Sequence, residues 1–333
     1  MNKPLSVVKA ATAVLLCLGL VSCSETGGAP RTTASHGERT GGVDTPRLTV
    51  SFITHGAPGD TFWDLVRTGA EDAAQKNNIE LRYSSDPQAP NQANLVQSAI
   101  DAKVDGIALT LPNAQAIGPV AKKAALADIP VVALNAGMDS YRDYNISAFF
   151  GQEEKYAGSL AGKRLQEDGA RHVLCVIHEQ GNSSQEARCA GVAEGAHADV
   201  ELLYVNGQDL ASAQATIQAK LVQDPSIDWI MSLVAPVALR ASEAVSSLGN
   251  NRQVKIATFD TNAELVDAIN TGAVAWAVDQ QPYLQGYMAV DALWLAHRNG
   301  STVGGSRPVY TGPSFIDSTN VQLIEQAAKE GLR

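Results

Sequence analysis

The sequence predicts an α/β protein made of two similar domains, each built on a mainly parallel sheet, with a ligand cleft between them. Three observations lead to this. From Arg47 onward strands and helices alternate at the spacing of right-handed βαβ crossovers. The alternation runs through twice. The two runs also end equivalent strands on polar residues, Asn135 in the first and Asp260 in the second.

In the first run, apolar stretches predict strands over 48–54, 80–83, 106–109, 131–134 and 146–149. Helical periodicity falls near 62–76, 92–102 and 117–127. The second run starts with a helix over 155–165 and a strand over 172–177. Helices over 185–196, 211–221, 237–248 and 263–270 follow, with strands over 200–204, 229–232, 255–259 and 274–278 between them, then a helix over 284–296. The runs echo each other in order. Asp105-Gly106-Ile107 opens a strand, Pro112 and a helix follow, and the next strand ends at Asn135. Asp228-Trp229-Ile230 opens a strand, Pro236 and a helix follow, and the next strand ends at Asp260. Facing polar strand ends suit one ligand held between two domains; taken singly, either residue suits a helix N-cap.

The chain is organised around residues 53–74. A strand runs into a glycine-containing loop that ends in Asp60-Thr61-Phe62-Trp63, where an amphipathic helix begins. Asp60 or Thr61 carries the side-chain oxygen an N-cap needs. Leu65, Val66, Ala70, Ala73 and Ala74 supply a buried stripe without Phe62 and Trp63. The two aromatics therefore stand at the mouth of a strand–loop–helix turn, where open α/β sheets bind ligands. A hydrophobic staple is the plainer alternative. His55, alone in that loop, suits a surface histidine or a ligand contact.

Two further strand ends are polar. The stretch from His178 through Glu179 and Asn182 leads into a helix carrying Arg188, and Asp279-Gln280-Gln281 leads into the 284–296 helix. An arginine early in a helix slightly opposes the macrodipole, so Arg188 is read as a surface or ligand contact and not as a cap.

The first 21 residues carry Lys3 and Lys9 and then an apolar run from Ala10 to Val21, the layout of a secretory signal peptide and too short to span a bilayer. Leu20-Val21-Ser22-Cys23 resembles the lipobox of bacterial lipoproteins, which implies lipidation at Cys23. Residues 24–45 are rich in Ser, Thr, Gly, Ala and Pro without apolar period and read as a tether. About 22 extended residues reach roughly 70–80 Å.

The formal net charge is −10, and losing Lys3 and Lys9 with the leader makes the body more acidic still. That argues against nucleic acid and against a polybasic hold on lipid. The cysteines outside the leader region, Cys175 and Cys189, fall on a strand and on the following helix. They read either as a disulfide, which export permits, or as two small buried hydrophobes. No C-x-x-C or His/Cys cluster supports a metal. No G-x-S-x-G, no H-E-x-x-H and no G-x-G-x-x-G after a strand supports an enzyme or a nucleotide cofactor.

With these motifs in order, the chain resembles the type I solute-binding proteins of bacterial ABC sugar importers, of the ribose and galactose kind, from Arg47 to the C-terminus. The carrying motifs are Phe62-Trp63, VDGIAL at 104–109, IPVVALN at 129–135, the Arg188 region, ATFD at 257–260 and DQQPYLQGY at 279–287. The resemblance implies two Rossmann-like, doubly wound lobes joined by a three-segment hinge, with the sugar enclosed between them. It maps aromatic stacking to Phe62 and Trp63, and the polar residue before them to Asp60. It maps the binding arginine to Arg188, the aspartate of the FD motif to Asp260, and the hinge glutamine to Gln280. The expected ligand-binding set is His55, Asp60, Phe62, Trp63, Asn135, Asn182, Arg188, Asp260 and Gln280. Asn135-Ala136-Gly137 stands where ribose binders carry Asp-Arg, and Val234-Ala235-Pro236 where they carry Asn-Asp. Fewer charged contacts suit a neutral polyol, a cyclitol, a deoxy sugar, or another pentose or hexose. Binders of the furanosyl quorum signal share an Ala-Pro-like wall, so that ligand stays open.

The resulting expectation is an extracytoplasmic, lipid-anchored monomer that is not an enzyme and has no cofactor. It passes a small carbohydrate or polyol to an ABC permease and its ATPase subunit, or presents it to a membrane receptor. Residues 1–22 are the expected signal peptide and 23–46 the lipidated cysteine and tether. The N-terminal lobe is expected over 47–149 with 280–311, and the C-terminal lobe over 150–279 with 312–333.

Overall fold

The computed structural model describes residues 43–249 and 253–333. The leader, Cys23 and most of the tether lie outside the described residues. The first run forms β1 (Leu48–Thr54), α1 (Thr61–Lys76), β2 (Ile79–Ser85), α2 (Ala89–Asp101), β3 (Gly106–Leu109), α3 (Ala114–Leu126), β4 (Val131–Leu134) and β5 (Ala148–Gly151). The second forms α4 (Glu154–Glu167), β6 (His172–Ile177), α5 (Ser183–Ala196), β7 (Asp199–Tyr204), α6 (Leu210–Gln223), β8 (Trp229–Ser232), α7 (Ala235–Ser247), β9 (Lys255–Phe259), α8 (Ala263–Thr271) and β10 (Trp276–Asp279). The chain closes with α9 (Pro282–Asn299), β11 (Val309–Tyr310), β12 (Ser314–Asp317) and α10 (Glu325–Lys329).

Two six-stranded sheets result. One runs β2-β1-β3-β4-β5-β11, the other β7-β6-β8-β9-β10-β12. Every neighbouring pair is parallel except β10 with β12. The shared order is the physical form of the internal repeat. In each sheet the strand order reverses beside the first strand, between β1 and β3 and between β6 and β8, and that is where such sheets open a crevice at their carboxyl ends. The chain passes from one sheet to the other three times, after β5, after β10 and after β11.

Close helix packing fixes the elements that carry the site. A Cβ on Gly69 of α1 would overlap the Tyr283 carbonyl, and one on Gly286 of α9 would overlap that of Val66. The two helices therefore meet backbone to backbone, which seats α9 under the first sheet although it follows a strand of the second. In α4 and α5 the pairs Gly158/Gly162 and Gly191/Gly195 do the same, with Gly158 against the Arg188 carbonyl. Cys175 on β6 and Cys189 on α5 are joined in a disulfide with both residues buried. For the short loop it closes, 14 residues in separation, a bridge contributes about 3 kcal/mol. The double change Cys175→Ser/Cys189→Ser should lower the denaturant midpoint accordingly, and peptide mapping without reduction should recover the linked pair. Two free thiols in that map would refute the linkage.

At the amino end of β6, His172 gathers with Glu201 and Asp224, their ligand atoms within 4.8 Å of one another. This grouping was not visible in the sequence. Lys220 Nζ lies 2.7 Å from Glu201 and supplies it with a cation from the chain itself.

Candidate ligand-binding site

All nine residues expected at the site line one small cavity between the carboxyl ends of the two sheets. Each arrives there for a local reason. Asp60 caps α1 by accepting from the Phe62 N–H at 3.0 Å; Thr61 does not cap it. That fixes the first turn of the helix, so Phe62 and Trp63 face the cavity. Both are also buried in the first-lobe core at 6% and 5% exposure, so the aromatics belong to core and cavity wall at once, and the separation drawn from the helical stripe does not hold. Trp63 stands edge-on to Phe62 and to His55.

His55 is not a surface histidine. It is 5% exposed, and its Nδ1 lies 2.8 Å from Thr110 Oγ1, across the β1/β3 crevice. Its Nε2 points to the second lobe, 3.4 Å from Asn182 Nδ2 and 3.7 Å from Glu179 Oε2. Asn182 also caps α5 by accepting from the Ser184 N–H at 3.0 Å, and donates to Glu179 at 2.6 Å.

Asn135 and Asp260 are not N-caps. Both take left-handed backbone, φ 64° and 65°. Each donates its backbone N–H to the next strand at 2.8 Å, Asn135 to Phe150 and Asp260 to Val278. This αL turn suits Asn and Asp and turns the side chain off the strand end into the cleft. The helix after Asp260 is capped by Asn262, and Asn135 leads into a 3₁₀ turn over Tyr141–Tyr144 and not into an α-helix. Gln280, on the second crossing, joins the two: its Oε1 accepts from Asn135 at 3.2 Å and its Nε2 donates to Asp260 at 2.8 Å. Gln285 donates to the same Oε1 at 3.0 Å, and Thr311, on the third crossing, donates to the Gln280 carbonyl at 2.7 Å. Polar groups of both lobes and two crossings thus share one buried network.

Arg188 does not lie at the surface. Its guanidinium is buried and bidentate on Glu154, 2.6 Å and 3.0 Å to the two carboxylate oxygens. It lies over the Phe259 ring at 4.9 Å and donates to the Leu233 carbonyl at 3.4 Å. Sequence reasoning missed Glu154, which holds Arg188, and Ser184, Gln185 and Leu233, which line the cavity beside His178, Glu179 and Val234. Burial pushes the carboxyls of Asp60 and Asp260 up to about 7. For Asp260 this outweighs the opposing pull of Arg188. Burial likewise lowers His55 and takes His178 down to about 4. Near neutrality the wall is thus two neutral imidazoles, two half-protonated carboxyls, the charged Glu179 carboxylate, whose pKa stays lowered despite its burial, and the Arg188–Glu154 ion pair. Such a wall offers many donors and acceptors, and its net charge is acidic, which disfavours an anionic ligand.

These shifts predict a pH profile. As pH rises through about 7, the folded protein releases the Asp60 and Asp260 protons that the unfolded chain has already lost near 4. It therefore binds more protons than the unfolded chain, and stability falls with pH. The histidines act with the opposite sign, below the ordinary value of 6.5. The ligand-free protein should lose on the order of 0.5 kcal/mol between about pH 6.5 and 8, and less as Asp60→Asn. Melting curves across that window check it; a flat or rising profile in the parent contradicts it.

The cavity leaves about 30 Å³ for the centre of a water molecule. Its lining suits a small polyol ring. The aromatic wall would cover its C–H face and the polar network would meet its hydroxyls. Across the cleft Ser183 Oγ donates to the Pro112 carbonyl at 3.3 Å, and Asn262 Nδ2 to Thr61 Oγ1 at 3.5 Å.

Comparison with known proteins follows the same outline. The periplasmic binding protein domain family matches residues 50–300. A carbohydrate transporter from Acidothermus cellulolyticus 11B, solved in complex with myo-inositol, is 49% identical with a TM-score of 0.84, over 86% of this chain and 100% of that one. The xylose/arabinose-binding protein XylF of Sulfolobus acidocaldarius is 24% identical over 297 residues, 83% of this chain and 73% of that protein. A xylitol-binding protein of Mycolicibacterium smegmatis is 25% identical over 274 residues, 77% of this chain and 73% of that protein.

Proposed function

The chain belongs to the periplasmic binding protein domain family, and from that premise we propose that it is the extracytoplasmic substrate-binding component of an ABC importer, capturing a small neutral cyclitol or related polyol. The observation that carries this is the small cavity flanked by Trp63 and Asp260 and lined by hydrogen-bonding groups of both lobes, in a chain 49% identical to a protein solved with myo-inositol. The relative described as xylitol-binding points the same way. The nine lining residues are the proposed contacts, with stacking from Phe62 and Trp63 and hydroxyl contacts from Asp260, Asn135, Gln280 and Arg188. The proposed lobes are 47–149 with 280–311 and 150–279 with 312–333, hinged at the three crossings. A ligand that touches both lobes favours the closed arrangement, because only that arrangement makes both sets of contacts. The closed form is then what a permease receives. The role is binding and delivery, without catalysis.

A thermal-shift screen across cyclitols, linear polyols, pentoses and hexoses tests this. A ligand that binds only the folded state raises the melting temperature, and a cyclitol should give the largest rise. No shift with any neutral polyol would sink the reading. Cys23 is the proposed lipid attachment site, after removal of residues 1–22. Mass spectrometry of the native N-terminus should find a diacylated Cys23; an unlipidated start elsewhere would refute it.

A further inference from the structure

Outside the inner cavity the cleft widens. By the same measure that gives the inner cavity about 30 Å³, this outer part offers about 850 Å³. The two adjoin: His55, Asp60, His178, Glu179, Asn182 and Val234 line both. His55 and Asn182, which line both, meet at 3.4 Å, a long and weak contact. A single linking oxygen could pass if these two side chains part.

The outer lining differs in chemistry from the inner one. It carries no Lys or Arg, and its acids are Asp60 and Glu179, so a phosphate there would meet negative charge with no cation to hold it. Carboxamides from both lobes line it: Gln88 and Asn113 on one side, Gln180, Asn182, Asn206 and Gln208 on the other. The side chains of Gln88, Gln180 and Gln208 have no hydrogen-bonding partner among the described residues. A carboxamide presents a donor and an acceptor together, the pattern of adjacent hydroxyls. Pro112 and Pro236, one from each lobe, add rigid apolar faces whose ordering costs nothing on binding.

We propose that the outer cleft is a second subsite that takes a glycosyl unit joined to the ring in the inner cavity, so that the chain also binds neutral glycosides of that ring. This rests on the reading of the inner cavity as a cyclitol site, and the experiment separates the two. The full chain is titrated calorimetrically with myo-inositol, with an α-galactosyl myo-inositol and with myo-inositol 1-phosphate. The same titrations are run on Gln88→Ala/Gln208→Ala, which leaves the inner wall intact. The galactoside should bind at least about tenfold tighter than myo-inositol, and the phosphate should bind more weakly than either. In the double variant the galactoside's advantage should shrink to within about threefold while myo-inositol binds as before. A galactoside no tighter than myo-inositol, a phosphate tighter than both, or an advantage untouched by the double change overturns the outer subsite and leaves the inner reading standing. If neither myo-inositol nor its galactoside binds, both readings fall together.

Discussion

Replacing Glu154 with alanine should remove about 3–5 kcal/mol of folding stability, because it leaves a buried guanidinium without its carboxylate. Arg188 and Glu154 have side chains only 6% and 7% exposed, and the pair is bidentate. Without Glu154 the guanidinium retains the Leu233 carbonyl, the Phe259 face and the charge of Asp260. Asp260 would be drawn toward Arg188 and away from the cleft, so ligand affinity should fall along with stability. Glu154→Gln keeps an oxygen acceptor facing the guanidinium and should lose less on both counts. Urea unfolding of the three proteins measures the difference. A Glu154→Ala protein within about 1 kcal/mol of the parent would mean that the pair is far better solvated than its burial implies.

Asp260→Ala should weaken binding of the captured polyol by about 1.5–3 kcal/mol, the worth of a hydrogen bond with a charged group, or roughly ten- to hundredfold. The side chain is 4% exposed and is held by Gln280 at 2.8 Å, so it is already placed for the ligand before binding. Trp63→Ala, on the opposite lobe, should lose about 0.5–1.5 kcal/mol or more from stacking and burial. Lys329→Ala, which breaks only an exposed pair with Glu325 on α10, should change nothing. Calorimetric titration reads all three. Parent-like affinity in both site variants would place the ligand elsewhere.

Most of the architecture was legible because two signals repeat. The strand–helix alternation gave both sheets, and the matching ends at Asn135 and Asp260 gave the cleft. Those two residues also show why the equivalence survives folding: both sit in the same left-handed turn and make the same 2.8 Å backbone bond to the next strand. Element ends moved by a few residues, as with β5, expected over 146–149 and found at Ala148–Gly151. Local apolar content does not say where a ladder begins. The expected residues share one cavity because most lie in the loops and first helical turns that follow strand ends, while Arg188 reaches it from further along α5.

What escaped the sequence depends on contacts between distant segments. Glu154 meets Arg188 from 34 residues away, and only the docking of α4 on α5 brings them together. The paired glycines at 158/162 and 191/195 were the available signal for that docking, since small residues four apart on two helices permit backbone contact. His55 was ambiguous because its burial depends on Thr110, reached across the sheet, and on Asn182, reached across the cleft. Trp63 lay outside the helical stripe yet is buried, because the first turn of α1 faces the core and the cavity together.

The central claim, one small neutral ring held by both lobes at once, is tested most directly by a crystal structure of the chain grown with saturating myo-inositol. The account predicts the ring in the inner cavity, its C–H face against Trp63 and Phe62. Its hydroxyls should lie within hydrogen-bond distance of Asp260 and of Asn135 or Gln280. A ring bound to one lobe alone, or seated only in the outer cleft with the inner cavity unoccupied, would contradict it.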